Sequence, residues 1–256
     1  METVRAELEP TSVPEWDAED EVAGTLAEDS PVSVSDESAR AILSEIAVSL
    51  PRMLEWTQLV DYIQKTKTVA NFPIPADIDH YDYYATEVPL TLIIPQGQQL
   101  VRLRLTLDLD AKNSKSDPVV AYDLFPSTHI DVNTLLKGEA SLDAAEGLQF
   151  ALVAAGVPQP VAGITKCLGL KFKMPFQWTS RSATVQSSGR MSNPVTWLIT
   201  DDAIQGGFTA ALIIRTPKRK LVDVSAALYG ELRRKYLGVF AKTQFKTFKS
   251  QTYRFG

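Results

Sequence analysis

The sequence predicts an α+β fold, a compact single domain of antiparallel strands and packed helices behind a disordered acidic N-terminal tail. Three observations predict it. Val101, Leu103, Leu105, Leu107 and Leu109 alternate with Arg102, Arg104, Thr106, Asp108 and Asp110, which is the period of a half-buried strand. Ile42, Ile46 and Leu50 recur at helical spacing after the capping residues Ser35 and Asp36, and Pro51 stops the turn. After Lys166 a second run of alternating segments begins, punctuated by glycine, proline and paired aspartates.

The tail comes first. Residues 1–36 contain Pro10, Pro14 and Pro31 and few large apolar groups; Met1 to Glu37 holds twelve acids against the single base Arg5. Such a stretch buries too little surface to offset its ordering entropy, so disorder is expected there and the folded domain over 37–256. The helix through Ile42 follows, then a second with Met53, Trp56, Val60 and Ile63 on one face. Phe72, Pro73, Ile74 and Pro75 force extended backbone and read as a linker or docking strand. Thr91 to Ile94, Leu100 to Leu109 and Val119 to Leu124 are expected to form an antiparallel meander. Val132 to Gly156 reads as helix in two pieces. Strands are then expected at Leu168 to Met174, Phe176 to Val185, Val195 to Ile199, Phe208 to Ile214 and Lys220 to Val224, with a closing helix from Ser225 to Tyr236.

Little in the chain suggests catalysis or a cofactor, and no enzyme is expected. His80 and His129 are the only histidines and make no zinc pattern with Cys167. Asp108, Asp110, Asn113 and Asp117 lack the glycine and glutamate of a calcium loop, since Asn113 and Val119 stand in those places. Asp77, Asp79, His80 and Asp82, with Tyr81, Tyr83 and Tyr84, read as an acidic aromatic docking segment in preference to an acid-base cluster. A lone cysteine and the lack of a basic-then-apolar leader point to a reducing compartment. The apolar run Leu148 to Val157 is far shorter than the roughly 20 residues of a membrane-crossing helix, so membrane contact is expected to be peripheral.

The formal charge of −5 hides a polarity. From Arg215 to Gly256 eleven bases stand against Asp223 and Glu231. Lys218, Arg219 and Lys220 form one basic triplet and Arg233, Arg234 and Lys235 another; Lys242, Lys246, Lys249 and Arg254 interleave with Tyr236, Phe240, Phe245, Phe248, Tyr253 and Phe255. Cations with aromatic rings suit anionic lipid headgroups or a nucleic-acid backbone with stacked bases, and equally a pair of final strands with rings inward and lysines outward. These ten bases are the candidate contact residues, and the triplets also read as nuclear import signals.

From Gly147 to Tyr229 the chain resembles rhabdovirus matrix proteins, the lyssavirus branch especially. The carriers are Phe176, Gln177 and Trp178 with Ser180 and Arg181, then Val195 to Trp197, Asp201 and Asp202, the strand Phe208 to Arg215, and Leu221 to Val224. The resemblance implies an α+β matrix protein that self-associates into homo-oligomers, condenses the viral nucleocapsid and lines the inner membrane face of the virion during budding. Its implied partners are a second copy of itself, the nucleocapsid, an anionic membrane surface and host budding or nuclear import factors. That family carries a basic tail with a Pro-Pro-x-Tyr motif; here the tail is acidic, and Phe72 to Pro75 is the candidate late-domain-like substitute. Two alternatives stand beside it, an RNA-binding accessory protein using the basic C-terminal region, and an effector that inserts amphipathic strands such as Phe176 to Val185 into membranes.

Overall fold

The computed structural model describes residues 2–11, 32–33, 35–58, 77, 79–111, 118–125, 130–131, 184–201, 204, 206–236 and 239–255. Within them the architecture is almost entirely β, fifteen strands and one helix of nine residues, which corrects the expected α+β class. In chain order the elements are β1 (Thr3–Arg5), β2 (Leu8–Pro10), β3 (Val32–Ser33), α1 (Asp36–Ser44), β4 (Ala47–Pro51), β5 (Thr57–Gln58), β6 (Tyr81–Ile93) and β7 (Gln98–Ala111). They continue with β8 (Val120–Phe125), β9 (Ile130–Asp131), β10 (Thr184–Ser188), β11 (Val195–Thr200), β12 (Gly206–Pro217), β13 (Val222–Tyr236), β14 (Val239–Thr247) and β15 (Gln251–Phe255).

Two sheets result. The smaller has the order β1-β4-β6-β12-β8, with β5 also on β6; the larger has β2-β14-β13-β7-β11-β10-β9, with β15 beside β13 and β3 beside β14. Alternation makes each sheet apolar on one face, and the two faces supply one core. Val88, Leu90, Leu92, Phe208, Ala210, Leu212 and Ile214 come from the smaller sheet, and Leu103, Leu105, Leu107, Trp197, Val224 and Leu228 from the larger. The leucines of β7 are thus buried as their alternation requires.

Several local expectations change. The turn between Ile93 and Gln98 is present, but β6 and β7 enter different sheets, and β8 joins β12, so the three strands are not a meander. Turn chemistry allows the chain to reverse; which edge each strand then finds is a tertiary matter. Ser225 to Tyr236 is the second half of β13 and not a helix, because β7 pairs along one edge and β15 and β14 along the other. Two-sided pairing overrides the helical preference of Glu231, Leu232 and Arg233. The N-cap of α1 is Ser35, which accepts from the Ser38 amide, and the helix closes at Ser44, so Leu50 lies in β4. The second helix expected from Met53 does not begin there, since β5 occupies Thr57–Gln58. At the N-terminus, β1 pairs with β4 and β2 with β14, so part of the stretch expected to be a disordered tail belongs to both sheets. The helices expected over 132–156, the strands over 168–183 and the segment Phe72 to Pro75 lie outside the described residues.

Candidate functional site

The structure scatters the basic residues that the sequence groups together. Lys218, Arg219 and Lys220 form the turn between β12 and β13, whereas Arg233, Arg234 and Lys235 lie near the other end of β13. At roughly 3.3 Å per residue Lys220 and Arg233 are about 40 Å apart along the strand. Arg219 takes the left-handed turn conformation (φ 60°), and its amide donates to Asp82. Arg254 holds Asp223 through two nitrogens. Lys246 pairs with Glu9 at 3.5 Å, and Lys249 lies over the exposed ring of Phe248. The last two strands have the inward rings and outward cations weighed from the sequence: Phe245 and Tyr253 are buried, with Lys242 and Lys246 half-buried and Arg254 exposed.

One group of cations does converge. On the face of β13 turned away from the core, Glu231 stands between Arg102 of β7 and Gln244 of β14. Its carboxylate is fully buried, with Lys242 Nζ 2.9 Å from one oxygen and Arg233 Nε 3.6 Å from the other. A buried charge persists when opposite charges neutralise it, and here β13 itself supplies Arg233 and the neighbouring β14 supplies Lys242. One step along the same face, Arg104 lies over the ring of Tyr229. Arg102, Arg104, Arg233, Lys242 and Lys246 therefore share one face with Glu231 and Glu9.

This cationic end of the larger sheet coincides with a break in the chain's local connectivity. Thr184 is level with Thr200, Thr200 with Arg102, and Arg102 with Glu231, so β10 begins at the end of the sheet where Arg233 and Arg234 lie. Asp131 is the partner of Thr184, so residues 132–183 leave and rejoin the sheet at that same end. The turn between β6 and β7 is here too: Gln98 is the register partner of Arg234, Gly97 supplies the turn with φ 87°, and Ile93 is 63% exposed.

The acidic aromatic segment around His80 acts as a fastening. Asp77 accepts from the buried Tyr83 hydroxyl and pairs with Arg215 at 3.2 Å; Arg215 also lies 4.5 Å from the Tyr81 ring centre. The Tyr83 hydrogen bond and the Arg215 charge hold the Asp77 carboxyl below its ordinary range, while burial pushes the Tyr83 phenol up. Two other carboxyls are shifted the opposite way. Burial raises Asp123 despite Arg190 at 3.6 Å, and burial together with the charge of Glu55 raises Glu87. Among the described residues no group of three or more His, Cys, Asp or Glu is arranged to hold a metal.

Arg102, Arg104 and Glu231 were not among the sequence candidates. Arg102 and Arg104 were legible as the polar face of a strand, but their convergence with Arg233 and Lys242 depends on the register of β7 against β13, a strand distant in sequence.

No family model and no curated protein matches the chain. Among solved structures, one described as a pore forming protein is similar over 82% of this chain and 90% of its own, with 8% identity and a TM-score of 0.29. The NetB toxin of Clostridium perfringens in its membrane inserted form is similar over 68% of this chain and 87% of its own, with 10% identity and a TM-score of 0.28. Likenesses of this size carry no argument about activity.

Proposed function

We propose that this chain is a non-catalytic protein that inserts residues 132–183 into a lipid bilayer from a β-sandwich platform. The observation that carries the reading is the pairing of β9 with β10, which returns a stretch of 52 residues to its point of departure. Connections within compact domains are commonly about 2–8 residues, and much longer ones are usually functional segments or linkers.

The composition of that stretch supports the reading. Leu168, Leu170, Phe172, Met174, Phe176 and Trp178 alternate with Gly169, Lys171, Lys173, Pro175, Gln177 and Thr179. That run matches the roughly 9–11 residues of a bilayer-crossing strand, whose alternate side chains meet lipid and water. Upstream, Leu136, Ala140, Leu142 and Ala144 alternate with Lys137, Glu139, Ser141 and Asp143. Between the two runs, Gly147 to Thr165 carries no charged residue. Two amphipathic runs joined by an uncharged connector suit a strand pair crossing a bilayer. Strands in lipid must close their backbone hydrogen bonds in a barrel, so several copies are required and self-association follows.

The matrix role implied by the resemblance has no comparable support, since the α+β fold that goes with it is not the fold found. Cys167, the single cysteine, stands beside the second amphipathic run and gives a direct test. An environment-sensitive fluorophore on it, mixed with vesicles containing phosphatidylserine, is expected to shift to the blue and become shielded from an aqueous quencher as encapsulated dye escapes. An unchanged spectrum with intact vesicles would sink the proposal.

A further inference from the structure

We infer that Arg233, Arg234 and Lys242, at the β13–β14 end of the larger sheet, bind the headgroups of anionic phospholipid and so set the sandwich against the bilayer. The inference rests on the insertion reading above and deepens it by naming the lipid and the residues that meet it.

Position is the first argument. Residues 132–183 leave the sheet beside Thr184, which is level with Glu231, and Arg233 and Arg234 lie beyond that level in the direction of departure. A membrane engaged by 132–183 therefore meets these cations and not Lys218, Arg219 and Lys220 at the far end of β13. Chemistry is the second. Arg234 is exposed, while the side chains of Arg233 and Lys242 are 30% and 37% exposed, leaving solvent-facing edges while both neutralise the buried Glu231. Guanidinium groups donate in a planar fork that fits a phosphodiester. Third, Ile93, 63% exposed, ends β6 and leads into the turn whose far residue, Gln98, is level with Arg234. Cations and an exposed apolar residue at the same end of the sandwich match the headgroup and upper acyl region of a bilayer. Glu45, also at this end, is engaged by the Gln98 amide at 2.8 Å.

The test compares R233Q/R234Q with K218Q/K220Q in co-sedimentation with phosphatidylserine vesicles, with thermal midpoints measured alongside. The single variant R234Q, at an exposed position, guards against misfolding of the double variant. The hairpin variants are expected to lose binding, roughly tenfold for the pair, with the far-end variant within about twofold of the parent. Equal losses in the two double variants, or none in the hairpin variants, would overturn the inference. So would loss of RNA binding in R233Q/R234Q with vesicle binding intact, which assigns these cations to nucleic acid. If R233Q/R234Q still binds and still shifts the Cys167 fluorophore, the headgroup assignment fails and the insertion reading stands. If the parent binds through these arginines without any fluorophore shift, the insertion reading fails and the headgroup assignment stands.

Discussion

Asp131 and Thr184 face each other across an antiparallel strand pair although 52 residues separate them in sequence. β9 and β10 thus meet at the edge of the larger sheet, beyond β11, β7 and β13. Changes within 132–183 are therefore expected to alter action on membranes more than the stability of the sandwich.

Replacing Phe172 and Phe176 together by aspartate puts two charges on the lipid-facing side of the proposed second run. Dye release should fall about tenfold or more, because a charge on that face is penalised by about 2–4 kcal/mol for a cation at mid-bilayer and less for an acid. Vesicle binding should change little, as it depends on Arg233 and Arg234. A variant that releases dye like the parent would refute the assignment of this run.

The acidic stretch 12–31 is pinned at both ends along β14. Thr11 donates to Gln244, and β3 pairs with β14 at Ala241 and Lys242. Its seven acids and no bases are thus tethered beside the cations proposed to bind lipid. Converting those acids to their amides should tighten vesicle binding at low salt, with the gain disappearing near 0.5 M salt as screening shortens the range of the field. Identical affinities at low salt would show that the stretch does not shield the hairpin. Substitution is preferable to deletion of residues 1–36, which would remove β1 and β2.

Gly230 lies opposite Phe245 in the β13–β14 register, and a Cβ at Gly230 would collide with the buried ring. Gly230→Ala should destabilise the fold by about 1–3 kcal/mol, the usual range for overpacking a core. Adding Phe245→Leu should cost less in this background than in the parent, and chemical denaturation of the four proteins gives the coupling. Simple additivity would mean that the ring is free to move aside.

Asp123 sets a pH dependence with a defined sign. Its folded pKa is raised by burial, so its contribution to stability is fully present below the unfolded value near 3.8 and is lost as pH rises through the folded value. Glu87 acts in the same direction. Asp77 acts oppositely: its lowered pKa contributes stability above 3.8 that is lost as pH falls through the folded value. Asp123→Asn should therefore remove part of the decline in stability as pH rises from about 4 toward neutrality, and urea midpoints across that range would reveal it. A midpoint profile parallel to the parent's would mean that Asp123 titrates normally.

The amino-acid sequence by itself determined where strands are possible and which of their faces turn inward. The leucines of β7, the runs at β11 and β12, the Ser35 cap, and the inward rings of Phe245 and Tyr253 were all legible, because period, capping and turn chemistry are local. Partner choice was not. Tertiary structure sent β6 and β7 to different sheets, drew Ser225 to Tyr236 into β13, and split two basic triplets that look equivalent in sequence. It also assembled Arg102, Glu231, Arg233 and Lys242 on one face. The physical reason is that one turn can satisfy at most one edge of a strand and the other edge is left to distant segments, so register, and with it the set of side chains that meet, is settled when the sheets form.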